Sequence, residues 1–381
     1  MPGLVAPRVA LVRQKYTHFG GAERFVAGAL NAMVARGANL TVVTRHWQEQ
    51  PGVEVIGVNP FYIGRVWRDR SFSKAACQIV AEGHFDLVQS HERIPCCDIY
   101  RAGDGVHRIW LRHRAQAGGW WVRLSQWLSP YHRYVLQAEE RLFASDRLKA
   151  VICNSFMVKD EICKCFGIPE KKVVVIHNAV DTKRFSPNLR TRYRNEMRRR
   201  LDVPESAMVY LFVGSGFARK GLDAAIRAMA EMPDHCWLVV VGKDRTTSHY
   251  RRLARRLGLA GRVYFAGPQP DVDPYYGMAD ALILPTLYDP FPNVVLEALA
   301  CGLPVLISDS CGATDIIRDG ENGFVCPAQD LPGIIARMRR LMDAGLRETL
   351  MPVSRALVEH WDAERMSDRL LLLYRELLDG V

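Results

Sequence analysis

The chain has 381 residues, of which 49% are hydrophobic, and a formal charge of +10. That length exceeds what one ordinary core organises and suits two domains, and the apolar content excludes a disordered chain. The positive excess favours polyanionic partners, whether nucleic acid, anionic lipid or a phosphorylated substrate, and does not choose among them.

The first apolar run, 9–12, reads as a buried strand. A loop carrying Gly20 and Gly21 follows, then a helix over about 23–35. Segment 40–44 gives a second strand, 86–89 and 99–102 are further candidates, and 151–153 is another, with Ser155 placed to cap the next helix. Segment 173–176 closes this array. Short apolar strands alternating with amphipathic helices predict a parallel sheet covered on both faces. A polar stretch with Arg190, Arg192, Arg194, Arg198, Arg199 and Arg200 comes next and reads as a solvated helix face, with a binding patch as the alternative. The pattern then restarts. Segment 209–213 is a strand, Gly214-Ser215-Gly216 a tight loop and 222–231 a helix; 238–241, 263–265, 281–284 and 305–307 are strands, and the chain from 331 onward is largely helical. Two α/β halves, each opening strand, glycine loop, helix, predict a cleft where ligands of such proteins collect. The expected domains are 1–180 and 181–360, with 361–381 a terminal helix.

Ten cysteines form no zinc signature and are expected to be buried free thiols in a reducing compartment. The N-terminus lacks a charged start followed by a signal-length apolar run, and no stretch approaches a membrane-spanning length. A cytoplasmic protein is expected.

The most informative segment runs from Asp289 to Glu297. It follows a strand and opens a helix, whose free N–H groups and positive dipole end suit a diphosphate. Asp289 is expected in the turn, and Glu297 two turns into the helix, within reach of a ribose diol. Segment 291–305, including Phe291, Asn293 and Val294, resembles the signature of the retaining group 1 glycosyltransferases, whose hallmark is two acids with seven residues between. Here Asp289 stands where that family usually has Glu, and Pro290 where it usually has Gly. The resemblance implies a GT-B fold, α/β with two Rossmann-like domains facing across a cleft, and a C-terminal helix crossing back to the first domain. It also implies a nucleotide-sugar donor with no other cofactor.

Segment 212–221 is the second donor motif. A glycine loop with Gly214 and Ser215 lets the backbone approach a phosphate, and Arg219 and Lys220 add two cations. Fixed cations aimed at a departing diphosphate lower the barrier by ~2–4 kcal/mol each. They can replace a metal ion, and no Asp-x-Asp motif lies in a suitable loop, so no metal is expected. Segments 241–244 and 265–267 are placed near the base by resemblance, or are plain turns. Gly20 and Gly21, by the same resemblance, approach the donor from the opposite wall.

Segment 98–104 resembles the lipopolysaccharide core glucosyltransferases, and the match places Asp104 near the acceptor hydroxyl, to orient or deprotonate it. Arg93 and His107 are candidates to meet acceptor phosphates, or are plain surface. Between Gly105 and Ala138 there is no Asp or Glu; Arg108, Arg112 and Arg123 alternate with Trp110, Trp120, Trp121 and Trp127. Arginine with aromatics suits a lipid interface, each cation contributing on the order of 1 kcal/mol. Membrane contact over 106–134 is therefore expected, a basic-edged core helix pair and nucleic-acid binding being the alternatives; no nucleic-acid partner is expected.

The resulting expectation is a metal-independent, retaining hexosyltransferase. It takes glucose from UDP-glucose to a heptose of the lipopolysaccharide inner core at the inner face of the cytoplasmic membrane. In it Asp104, Arg219, Lys220 and Asp289 are the catalytic set. Alternatives are another nucleotide-hexose transferase with a lipid-linked or polysaccharide acceptor, a sugar-nucleotide epimerase, and a non-enzymatic membrane or nucleic-acid binding protein.

Overall fold

The computed structural model describes residues 7–15, 39–47 and 52–379. Gly20, Gly21 and the helix expected over 23–35 lie outside the described residues. The chain divides into two units, Met1–Asn178 with Ala363–Val381, and Ala179–Asp362.

In the first unit the strands are β1 (Arg8–Val12), β2 (Asn39–Thr44), β3 (Val53–Gly57), β4 (Leu87–Ser90), β5 (Ile99–Arg101), β6 (Ala150–Cys153) and β7 (Val173–Val175). They form one sheet in the order β3-β2-β1-β4-β5-β6-β7, every pairing parallel. Strand β3 was not legible. It is an edge strand whose side chains stay half-exposed, so it carries no continuous apolar run. The helices are α1 (Gly64–Glu82), α2 (His107–Leu128), α3 (Pro130–Phe143) and α4 (Phe156–Phe166). Ser155 caps α4 as expected, its side chain accepting from Val158 N. The terminal helix Ala363–Asp379 belongs to this unit: Tyr374 donates to Gln89 at 2.7 Å and Arg369 to the Val175 carbonyl at 2.8 Å.

The second unit repeats the plan with β8 (Met208–Val213), β9 (Cys236–Val241), β10 (Val263–Gly267), β11 (Ala281–Leu284), β12 (Val305–Ser308) and β13 (Gly323–Cys326). The order is β10-β9-β8-β11-β12-β13, again all parallel. Strand β13, short and opened by glycine, gave no signal. Helices α5 (Asn188–Arg200), α6 (Leu222–Ala230), α7 (Thr247–Arg256), α8 (Asp273–Met278), α9 (Asn293–Ala300), α10 (Leu331–Leu341) and α11 (Ala344–Val358) complete it. Each sheet reverses its strand order once, between β1 and β4 and between β8 and β11. Loops leaving the carboxyl ends of the strands at such a point splay apart and leave room for a ligand.

Two expectations are corrected. The arginine run is not simply a solvated face. Arg198 is fully buried, and Arg190, Arg194 and Arg198 converge on Asp280 at 3.2, 2.9 and 2.7 Å. Asp280 also accepts from Val209 N at 2.8 Å, so the cluster pins α5 to the start of β8. A count of charges could not reveal this, because the partner acid lies 82 residues away. Nor are all the cysteines free. Packing of α1 beside the loop after β4 brings Cys77 and Cys96 to a Cα separation of 5.6 Å, and they are disulfide-bonded. The other eight are free, with Cys163 and Cys165 only half-buried.

Candidate active site

The two donor motifs emerge at the switch point of the second sheet. Strand β8 runs out into 214–221 and β11 into 285–292, and the two loops are seated backbone on backbone. At Gly221 (φ 77°) an added Cβ would overlap the Pro285 carbonyl, and at Gly214 (φ 143°) it would press on Cδ and Cε of Lys220. Glycine is thus required at Gly221 by approach as well as by dihedral, and at Gly214 by dihedral. The Arg219 carbonyl accepts from Leu287 N at 2.8 Å and from Thr286 Oγ1 at 2.9 Å, while its guanidinium donates to the Tyr288 carbonyl at 3.0 Å. Asp244, beyond β9, accepts from Phe217 N at 2.9 Å and from Thr246 N at 2.7 Å. Burial pushes the Asp244 carboxyl up, but these hydrogen bonds outweigh it and hold it below the usual range. Residues 241–244 therefore do more than turn the chain, since they fix the glycine loop.

Asp289, Arg219 and Lys220 meet in one cluster. Lys220 Nζ lies 3.0 Å and Arg219 NH1 3.1 Å from the same oxygen, Asp289 Oδ2. Lys220 and Asp289 are both buried. Burial alone would raise the Asp289 carboxyl; Lys220 and then Arg219 reverse the sign and keep it below the usual carboxylate range. A buried acid that is charged and doubly paired is fixed in place, and so are its partners. Thr286 and Tyr288, which hold Arg219, were missed, because each acts on it through one contact and leaves no pattern.

Helix α9 starts behind Pro292, which is extended (φ −76°, ψ 119°), and no side chain caps its N-terminus. Glu297 sits in its second turn, nearer the start than expected, and is buried with Oε2 accepting from Tyr276 OH at 2.7 Å. Phe291 is buried with its ring stacked on Trp361 at 6.1 Å, so what it offers a ligand is backbone, not a ring face. Asn293 and Val294 are half-buried at the helix start and Ser215 is exposed on its loop.

In the first unit the switch-point loops frame a pocket of about 340 Å³ lined by Arg13, Gln14, Glu92, Arg93, Asp104 and Tyr131, among others. Asp104 is 83% exposed and stands 3.8 Å from Arg93. Arg93 also donates to Glu139 Oε1 at 3.0 Å, so the pocket wall is a chain from Asp104 through Arg93 to buried Glu139. The disulfide ties α1 to the loop that carries Glu92 and Arg93. His107 is not the phosphate-binding cation considered for it. Its backbone N donates to Glu139 at 2.9 Å and its ring lies 3.0 Å from His132. Burial first, and then Arg93, push its pKa down to about 3, so it is neutral.

Segment 106–134 folds as α2 and the start of α3, with α2 broken at Gly119 (φ 69°, ψ −165°). Trp120, Trp121 and Trp127 are 60%, 65% and 73% exposed, and the first two stack at 3.5 Å. Arg112 and Arg123 are also exposed, and Arg108 pairs with Glu140 at 2.8 Å. Trp110 differs, being half-buried. Among the described residues no helix is long and apolar enough to cross a membrane, and no group of three or more His, Cys, Asp or Glu side chains could hold a metal ion.

Comparison with known proteins identifies the family. Residues 193–352 match the model of "Glycosyl transferases group 1", and residues 19–184 that of "Glycosyltransferase Family 4". The chain is 27% identical to the lipopolysaccharide core biosynthesis glycosyltransferase LpsE of Rhizobium meliloti, over 94% of this chain and 98% of that one. It is 30% identical to a D-inositol 3-phosphate glycosyltransferase of Salinispora arenicola, over 78% and 70%. The lipopolysaccharide glucosyltransferase WaaG of Escherichia coli is 28% identical over 83% and 84%. A crystal structure of WaaG, a glycosyltransferase involved in lipopolysaccharide biosynthesis, superposes with a TM-score of 0.82 at 24% identity, covering 98% of this chain and 100% of that one. The chain belongs to the group 1 glycosyltransferases, with two Rossmann-like domains, and is related to the enzymes that build the lipopolysaccharide core.

Proposed function

We propose that the protein transfers glucose from UDP-glucose to a heptose of the lipopolysaccharide inner core. Transfer proceeds with retention at the anomeric carbon and without a divalent cation, on the inner face of the cytoplasmic membrane. The observation that carries the reading is the buried Lys220–Asp289–Arg219 cluster beside an uncapped helix start. The donor's diphosphate lies between the glycine loop and that helix, and takes over the two cations. Asp289, released from them, accepts from hydroxyls of the donor sugar, and Glu297 exchanges Tyr276 for the ribose diol. As the bond from anomeric carbon to phosphate oxygen breaks, charge gathers on the diphosphate and is met by fixed cations. The acceptor oxygen bonds to the anomeric carbon on the same face, and its proton passes to the leaving phosphate oxygen. Asp104 orients the acceptor, and Arg93 positions Asp104. The exposed tryptophans and arginines of 106–134 hold the enzyme on an anionic surface that carries the acceptor.

The test is incubation with UDP-glucose and core-truncated lipopolysaccharide in the presence of a chelator, with product configuration read by NMR. A new α-linked glucose supports the reading. An epimerised UDP-sugar with no transfer, a β-linkage, or transfer that stops when metal is removed each overturns the corresponding part. Replacing Trp120, Trp121 and Trp127 together should release the protein from anionic vesicles; retention at unchanged salt dependence would sink the surface assignment.

A further inference from the structure

A second cavity in the first unit has no part in the transfer reaction. The two halves of α2, bent at Gly119, and the start of α3 border an open groove of about 570 Å³. Its lining includes Arg108, Arg112, Arg123 and Arg133 and contains no Asp or Glu. Arg108 is answered by Glu140 at 2.8 Å; the other three make no ion pair among the described residues. His132, also in the lining, is held below the usual histidine range by burial and then by Arg114. Like charges gathered in one concavity repel, and an acceptor-only anion entering the groove relieves that repulsion.

We propose that this groove is a discrete site for a phosphate monoester. Guanidinium forks match tetrahedral oxyanions. Three unanswered cations fit a monoester, which approaches two negative charges near neutral pH, better than a singly charged diester. The volume exceeds that of a bare phosphate and leaves room beside Trp127 for the glycerol or sugar that bears it. The phosphate comes either from a lipid headgroup or from a soluble sugar phosphate. Only the lipid source rests on the membrane-surface reading above.

The experiment measures binding of the full chain to inorganic phosphate, to glycerol 1-phosphate, and to phosphatidylcholine vesicles carrying phosphatidic acid or phosphatidylglycerol at matched surface charge. Saturable binding at one site per chain is expected, with phosphatidic acid preferred over phosphatidylglycerol. Arg112→Gln or Arg123→Gln should weaken it about tenfold or more. Both variants should keep the wild-type melting temperature, which separates loss of the site from loss of the fold. Soluble phosphates binding without a phosphatidic acid preference identify the free source; the reverse identifies the lipid. A chain that binds soluble phosphate but no vesicle keeps this site and refutes the membrane reading. Equal binding to both charged lipids with no saturable phosphate binding overturns the site and leaves the membrane reading standing. Tighter binding of RNA oligonucleotides, abolished by the same arginine changes, also overturns it.

Discussion

The two units share a plan of parallel strands and a single reversal of order, yet they treat buried charge in opposite ways. In the second, Asp280 answers three arginines and Asp289 answers Arg219 and Lys220. Among the described residues the only buried polar side-chain atom of that unit without a hydrogen bond is Arg337 Nε, and it lies 3.5 Å from Asp319. In the first unit Gln126 Nε2, Glu139 Oε2 and Asn154 Oδ1 are all buried without a partner. Buried polar groups in folded proteins are satisfied almost without exception; the second unit meets that rule with its own residues, whereas the first leaves these three atoms without an internal partner.

The largest effect is expected of Asp280→Ala, which strands the buried Arg198. Removing one member of such a cluster costs about 3–5 kcal/mol, read as a lower urea midpoint. A cost below about 1 kcal/mol would mean that the carbonyls of Met278, Glu205 and Ala207, which also accept from Arg198, carry the load. Next comes Lys220→Ala. A folded protein whose kcat has fallen about 10²- to 10³-fold is expected, and an unchanged kcat removes this lysine from the mechanism.

Third is pH, which should separate the halves. His107 titrates near 6.5 in the unfolded chain but only at about 3 in the folded one. Between those values the unfolded state holds more protons, so stability falls as pH drops, by no more than about 1 kcal/mol per unit after allowing for partial exposure. Melting between pH 7 and pH 5 should therefore drop for the wild type and less for His107→Gln; equal slopes would refute the assignment. Asp280 and Asp289, held below the usual range, protect the second unit until the pH falls below the ordinary carboxylate pKa. The smallest effect belongs to Asp104→Asn. Acceptor KM should rise about three- to tenfold with donor KM unchanged, and a shift in donor KM alone would place Asp104 elsewhere in the reaction.

Strands buried on both faces announce themselves as apolar runs, which is why β1, β8 and β11 were legible and the half-exposed edge β3 was not. The donor motifs were legible too, since a glycine loop with two cations and a pair of spaced acids each lie within one short segment. What escaped were relations across sequence distance. The Arg198–Asp280 and Cys77–Cys96 pairs are created by packing, not by local pattern. The neutral state of His107 comes from the depth at which α2 starts, which no composition of its neighbours discloses.

Lys220 and Arg219 share one carboxylate oxygen of Asp289. An idle enzyme with bare cations would fill with whatever phosphate the cell offers. On the proposed donor reading, a stray anion must displace an internal counter-ion, whereas a sugar nucleotide brings hydroxyls to receive it. Inorganic phosphate and pyrophosphate should then be poor inhibitors of the transferase, as competition assays would read.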